Sequence, residues 1–431
     1  MADYLRFSAD FLDNLRMQTN LVALIEQDGI ALKRSGKSLV GLCPFHEEST
    51  PSFHVSPGHN TYRCFGCGTY GDAIEWMRQR RHLSFHDAVV HLAQQCGIPM
   101  PTPENREQTR QSRKHLAAVY QILKDVARIY ARGLDKSPAA SKYLFEQRGL
   151  TAKTVRTFGL GVVAKGIVAL LVEKHRDALL AAGLAVARED GSVYDHFRHR
   201  IMIPIHNERG YLVGFAGRAL ADRTSAPKYI NSPETELFSK RRELYALHLA
   251  KSAIRETGVA VVVEGYFDVI SLHQAGEQRA VAPMGTALTN TQIQRLLAHA
   301  DTIVFAFDAD AAGRKAALSA ALVLLAELHD GKTARFLFLP EGDDPDSFVR
   351  KHGLDAWRAA LEQATPLSAF LAEHVSHGLD KTMPESQVAA ARKALEILGH
   401  VQHAPLFARA LQARFEELIG IALQENSNTD K

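Results

Sequence analysis

Cysteine is scarce in this chain. There are 4 in 431 residues, and three of them lie between positions 43 and 67. So few, so clustered, cannot form a disulfide framework; a reducing compartment and a metal site fit better. Long hydrophobic runs are missing too. No stretch approaches the roughly 20 apolar residues that cross a bilayer, which excludes a transmembrane helix. The N-terminus, MADYLRFSADFLDNLRMQTN, mixes charge throughout and has no signal-peptide core. No internal repeat or low-complexity tract is present. A strong overall charge is also lacking, with 51 Lys and Arg against 48 Asp and Glu. These absences predict a cytoplasmic globular protein with no membrane role. Its length exceeds what one core usually supports, so several domains are expected.

The balanced total hides an uneven distribution. Residues 111–245 carry 23 Lys and Arg against 13 Asp and Glu, whereas residues 246–375 carry 11 against 16. Ordinary surface charge would give such counts. So would a polyanion-binding region followed by a site that collects cations.

Periodicity supplies the organisation. Phe11, Leu15, Leu21, Leu24 and Ile25 fall at helical spacing. Short β-like runs follow in IALKRSGKSLVGLC, PSFHVSP and NTYRCFGC, then helical patterns in GDAIEWMRQR and SFHDAVVHLAQQCG. Residues 98–114 hold three prolines and few large apolar residues, which reads as a flexible linker. Helices are expected over 115–133 and 138–148, and strands in HRIMIPIHN and YLVGFAGRAL. After Gly258, apolar runs alternate with helical patterns: VAVVVE, AVAPMG, TIVFAFDAD and ARFLFLP are the runs. Such alternation means a buried parallel sheet. Residues from about 355 onward are helical. The expected fold is therefore multidomain, α+β and α/β. A small zinc-ribbon-like β module (1–97) and a linker (98–114) precede a mixed α+β basic subdomain (115–250). A parallel α/β sheet (251–354) and a C-terminal helical bundle (355–431) complete it.

Cys43, His46, Cys64 and Cys67 form the pattern C-x2-H-x17-C-x2-C. Two ligands separated by two residues grip one ion from a tight turn, and two such turns complete the tetrahedron that Zn²⁺ accepts. Four protein ligands close the site, so one structural zinc is expected rather than a catalytic one. His54 and His59 lie between the pairs without that spacing and are discounted. Cys96 reads as a buried apolar residue. Lys33, Arg34, Lys37 and Arg63, interleaved with Phe53, Tyr62 and Phe65, suit single-stranded nucleic acid, although aromatics also fill small cores. The segment ALKRSGKS resembles a phosphate-binding loop but has Ala31 where that motif needs glycine, and no helix follows.

Carboxylates sit where the apolar runs end. Glu264 closes the first run and Asp268 follows four residues on; Asp308 and Asp310 close the third; Asp343, Asp344 and Asp346 follow the fourth. Sites in open parallel sheets form outside the carboxyl ends of the strands. The three groups should meet there, and crowded carboxylates stay ionised only with a compensating cation such as Mg²⁺.

The runs EGYFDVISLHQAG, FDAD and GDDPDSF resemble a Toprim domain. The cysteine–histidine cluster, KYINSPETELFSK and the Toprim motifs, in that order, resemble the bacterial-type replicative DNA primase family over essentially the whole chain. That resemblance implies RNA primer synthesis on single-stranded DNA from ribonucleoside triphosphates, with two or more Mg²⁺ or Mn²⁺ ions. It implies that Glu264, Asp308 and Asp310 are the main metal ligands and catalytic carboxylates, supported by Asp268, Asp344 and Asp346. It ties Arg148, Arg218, Lys228 and Lys240 to template or nucleotide, and the zinc module to reading the template start. FDAD carries Ala309 where many relatives have glycine. The family usually continues into a C-terminal domain that docks on the replicative helicase. That domain is absent from the sequence given, so a helicase partner is left open. The competing readings are a Toprim nuclease or topoisomerase, for which Tyr266 and Tyr245 are the nearest tyrosines, and a non-catalytic single-strand-binding protein.

Overall fold

The computed structural model describes residues 7–423, save 8, 37, 59, 82, 101–102, 164–165, 221–226, 286 and 309. Lys37, His59 and Ala309 thus lie outside the described residues. The chain divides into two compact units, Met1–Arg113 and Lys114–Lys431.

The smaller unit is built on a five-stranded antiparallel meander: β1 (Lys33–Ser35), β2 (Ser38–Gly41), β3 (Phe53–Ser56), β4 (Thr61–Cys64) and β5 (Tyr70–Gly71), adjacent in chain order. The expected N-terminal helix is two, Ala9–Gln18 and Leu21–Gln27. Asn20 divides them: its side chain accepts from the Ala23 amide and caps the second helix. The resembling phosphate loop is the β1–β2 hairpin. Phe53, Val55, Tyr62 and Cys64 point inward and pack with Trp76, whose indole N–H donates to Asp28 at 2.7 Å. Phe53 and Tyr62, interleaved with basic residues in sequence, are therefore core residues. The strand period of two puts them on the face opposite Lys33 and Arg63, whereas Arg34 shares the cross-strand row of Tyr62. Cys96 is half-buried and ends the helix Phe85–Gln95.

The segment read as a linker is largely helical. From Pro103 it opens a helix of 32 residues running to Leu134, and the boundary between the units falls inside it. Its polar composition did not mean coil. PENREQTRQSRK is rich in good helix formers, and proline is at home at a first helical position.

In the larger unit, four antiparallel strands lie in the order β11 (Tyr229–Asn231), β10 (Leu212–Ala219), β9 (Arg200–His206), β6 (Gly161–Val163). A small hairpin joins β7 (Ala185–Ala187) to β8 (Val193–Asp195). The second sheet has the order β13 (Ala280–Val281), β12 (Val259–Val262), β14 (Thr302–Phe307), β15 (Thr333–Phe338), β16 (Thr365–Pro366). Its first four strands are parallel, and the short edge strand β16, too brief to show in the sequence, is antiparallel.

Both faces of this sheet are covered. Val261, Val263, Val304 and Ala306 belong to one core, with the basic subdomain; Ala260, Val262, Ile303 and Phe305 belong to the other, with the C-terminal helices. That double burial is why the strands read as continuous apolar runs. Helix Pro345–Glu362 carries a break at Gly353, and Leu367–Ser376, Pro384–Gly399 and Pro405–Ile419 follow. No described helix is long and apolar enough to cross a membrane.

Candidate functional site

The four zinc-ligand candidates meet. One ligand atom from each of Cys43, His46, Cys64 and Cys67 lies within 4.8 Å of all the others. Cys43 Sγ is 3.8 Å from Cys67 Sγ, and Cys64 Sγ is 3.8 Å from His46 Nδ1. A tetrahedron with arms of about 2.3 Å has edges of about 3.8 Å, so these residues fit zinc. Backbone amides of Phe45, Gly66 and Cys67 donate to cysteine sulfurs at 3.3–3.4 Å and shape the two turns. Gly66 is required by close approach: a Cβ there would come 2.6 Å from His46 Nε2 and 2.8 Å from Ser52 Oγ. His54 stays out of the cluster and packs edge-on to Phe65.

The sequence reading missed Glu48. Its Oε1 accepts from the Cys43 and Ser52 amides at 2.7 and 3.1 Å, and its Oε2 accepts from Ser52 Oγ at 2.5 Å. The same Oε2 lies 3.2 Å from His46 Nε2. A carboxylate on the far nitrogen of a ligand histidine fixes its ring and tautomer. Nothing in the spacing distinguishes Glu48 from Glu47 beside it.

On the outer face of the meander, one cross-strand row runs Lys33, Val40, His54, Arg63, Tyr70. Arg34 belongs to the neighbouring register position. Tyr70 is 74% and Phe65 65% exposed, and the Arg63 guanidinium sits 5.3 Å from the Phe65 ring centre. Cations and open aromatic faces on one surface can bind phosphate and stack bases.

The larger unit gathers the carboxylates. Its strand order reverses between β12 and β14, which are neighbours although β13 separates them in the chain. Glu264 follows β12 and Asp308 follows β14 at this switch point, and the Asp308 amide donates to Glu264 Oε1 at 3.3 Å. Asp310 caps the helix Ala311–Glu327 by accepting from the Gly313 amide at 2.7 Å. A Cβ on Gly313 would come 2.1 Å from the Asp308 carbonyl oxygen, so this tight turn admits only glycine there. Asp268 lies in the first turn of helix Tyr266–Ala275, and Asp344 caps Pro345–Glu362 in a reciprocal pair with Ser347. Three helix N-termini thus face one cluster, and their dipoles favour negative charge there.

Crowding has a measurable consequence. Burial, then Asp344, Asp346 and Asp308, push the Asp268 carboxyl up to about 7. Burial, then Glu264, Asp344 and Asp310, push Asp308 up to about 6. All three sequence-predicted groups therefore act on one another. Asp343 is turned aside to Lys351 and Ser347. Asp346 is fully buried and occupied on both oxygens: Oδ1 accepts from Ser271 Oγ at 2.7 Å and pairs with Arg350 at 2.8 Å, while Oδ2 pairs with Arg148.

Arg148 connects this edge to the basic subdomain. It ends a widened turn, Lys142–Gln147, where its amide reaches back five residues to the Tyr143 carbonyl. Its guanidinium lies 5.5 and 4.8 Å from the ring centres of Tyr143 and Phe267, and that of Arg218 lies 4.0 Å from Tyr143. The Arg218 Nε is buried with no partner among the described residues. Lys228 is exposed beside β11, its carbonyl held by Arg200; Lys240 is half-buried in the loop after it. Tyr143, the shared platform, went unnoticed in sequence because a tyrosine in a helical run reads as core. Tyr266 is buried with its hydroxyl donating to Asn231 at 2.7 Å, and Tyr245 is buried. Neither is placed as a strand-cutting nucleophile.

Family models match along the chain: a CHC2 zinc finger at residues 7–108, the DNA primase catalytic core N-terminal domain at 129–251, and a Toprim-like domain at 261–349. DNA primase of Neisseria meningitidis is 40% identical over 421 residues, covering 96% of this chain and 70% of that protein. The chain belongs to the DNA primase family. A crystal structure of the zinc-binding and RNA polymerase domains of the Aquifex aeolicus primase is 32% identical, covers 97% of this chain and 98% of that one, and superposes with a TM-score of 0.61. A DnaG primase catalytic domain bound to single-stranded DNA is 36% identical, covers 70% of this chain and 99% of that one, with a TM-score of 0.64. The primase relatives thus account for both units, zinc ribbon and Toprim sheet included.

Two outcomes follow for this primase. Glu48→Ala releases zinc about 10–100-fold more readily than wild type in competition with a chromogenic chelator. The second concerns pH. Asp268 and Asp308 have raised values in the fold, so each contributes stability that is full below the ordinary 3.8 and lost as pH rises through about 7 and 6. In metal-free protein, Asp268→Asn therefore raises the melting temperature at pH 8, and the difference shrinks toward pH 4.

Proposed function

We propose that this chain makes short RNA primers on a single-stranded DNA template by joining ribonucleoside triphosphates. The observation that carries the reading is the carboxylate cluster at the strand switch point beside two guanidiniums on one tyrosine. Acidic groups of that number need cations, and guanidiniums, among them an Arg218 Nε with no partner among the described residues, attract anions. A nucleoside triphosphate with bound metal supplies both.

In this reading Glu264, Asp308 and Asp310 hold the catalytic ions, with Asp268 and Asp344 supporting them. Mg²⁺ or Mn²⁺, when bound, supplies the charge that lets a primer 3′-hydroxyl attack the α-phosphate while pyrophosphate leaves. The residues of the chain do the rest. Helix N-termini and carboxylates fix where positive charge can sit. Arg148 and Arg218 stand ready for template or triphosphate oxygens, an assignment supported by the unpartnered Arg218 Nε. Lys228 and Lys240 extend the same anion-binding surface. We assign Asp346 a holding role: with both oxygens taken, it fixes Arg148 rather than a metal ion.

Residues 1–97 are assigned to template reading and 115–431 to polymerisation, within which 251–354 carries the carboxylates. One structural zinc holds the first module through Cys43, His46, Cys64 and Cys67. The row Lys33, His54, Arg63 and Tyr70 is its DNA-facing surface. The reading places the work in the bacterial cytoplasm at the replication fork, as the family's activity requires.

Labelled-ribonucleotide incorporation on single-stranded DNA tests this. Wild type with Mg²⁺ or Mn²⁺ yields short RNA. Glu264→Gln and Asp308→Asn lower the rate at least about 100-fold while DNA binding stays intact. Folded, zinc-loaded wild type that makes no RNA on varied templates would overturn the proposal.

A further inference from the structure

The loop Ser239–Glu243 carries Lys240; its amides are held locally, by Glu234 and the Ser239 carbonyl, but three of its carbonyls are held from another element. Gln292, in the first turn of helix Asn290–Leu297, donates through Nε2 to the Lys240 carbonyl at 3.0 Å and to the Glu243 carbonyl at 2.8 Å. Thr289, which caps that helix, donates through Oγ1 to the Arg241 carbonyl at 2.6 Å. The two residues also bind each other. The Thr289 amide donates to Gln292 Oε1 at 3.1 Å, and the Gln292 amide donates to Thr289 Oγ1 at 3.3 Å. Gln292 is fully buried, and both donors and the acceptor of its amide are used. At the far end of the loop, the buried Glu243 side chain lies between Arg242 at 2.8 Å and Arg295 at 3.0 Å.

An ordinary capping box needs only the reciprocal pair. Here the spare donors of the pair are turned on three carbonyls of a foreign loop, those of Lys240, Arg241 and Glu243. Gly285, Ala287 and Leu288, just before the cap, line a cavity of about 330 Å³ with Glu264 on its wall. One short segment therefore touches the carboxylate edge at one end and grips the Lys240 loop at the other. A lysine on a flexible stem is placed only as well as its backbone is fixed.

We propose that Thr289 and Gln292 are positioning residues that set where Lys240 meets nucleotide phosphate. The inference rests on the reading of Lys240 as a nucleotide contact. Neither residue touches substrate.

The test uses the full chain and two readouts. The first is ribonucleotide KM and kcat in primer synthesis. The second is limited trypsin digestion, because the loop holds Lys240, Arg241 and Arg242 in series. Thr289→Val, which keeps shape and removes the hydroxyl, raises KM about tenfold with kcat little changed, and speeds cleavage after Lys240 and Arg241 about tenfold. Thr289→Ser restores both. Gln292→Met behaves as Thr289→Val, which carries the test alone if the buried substitution does not fold. Lys240→Ala raises KM, and adding Thr289→Val to it raises KM no further. Unchanged cleavage in a folded Thr289→Val overturns the pin, and faster cleavage with unchanged KM overturns its role in positioning. If Lys240→Ala alone leaves KM unchanged, the reading of Lys240 falls instead.

Discussion

Like charges repel, and the larger unit brings Glu264, Asp268, Asp308, Asp310 and Asp344 to one edge of a sheet. The topology makes this unavoidable. Parallel strands deliver their carboxyl ends to the same side, and the switch between β12 and β14 opens a crevice there. Two features let the fold tolerate the result. Three helices begin at the cluster with their N-termini toward it. Burial also keeps part of the charge titrated, with Asp268 near 7 and Asp308 near 6. In the proposed reading, the residual repulsion makes the edge a receptor for divalent cations.

The basic side is organised from the same edge. Asp346 gives up its exposure to hold Arg148 and Arg350. A buried carboxylate of this kind is tolerated only when paired and hydrogen-bonded, and Ser271 completes the set. Arg148 then shares the Tyr143 ring with Arg218. Acidic and basic halves are thus joined by ion pair and stacking, which fixes cation and anion sites relative to each other.

Much of this was legible in the sequence. The parallel sheet announced itself because strands buried on both faces are apolar at nearly every position. The ligands of the zinc ribbon announced themselves by paired spacing, and the carboxylates by their place at run ends. Three things were hidden for physical reasons. Residues 103–114 looked like linker because a polar composition suits coil and polar helix alike, yet those residues favour helix. Phe53 and Tyr62 looked like nucleic-acid contacts because face assignment depends on strand register, which only pairing fixes. Glu48, Tyr143 and Gln292 were invisible because their partners are set by tertiary contacts, from Glu48's turn around Ser52 to Gln292's reach across 52 residues to Lys240.

The central claim is that the carboxylate edge holds divalent metal. Crystals of the protein soaked in Mn²⁺ and measured for anomalous scattering near the manganese edge test it most directly. The account predicts manganese peaks within coordination distance of Glu264, Asp308 and Asp310, and none at Asp346. Saturating Mn²⁺ that leaves this edge without a peak, in crystals diffracting well enough to show the carboxylates, would contradict it.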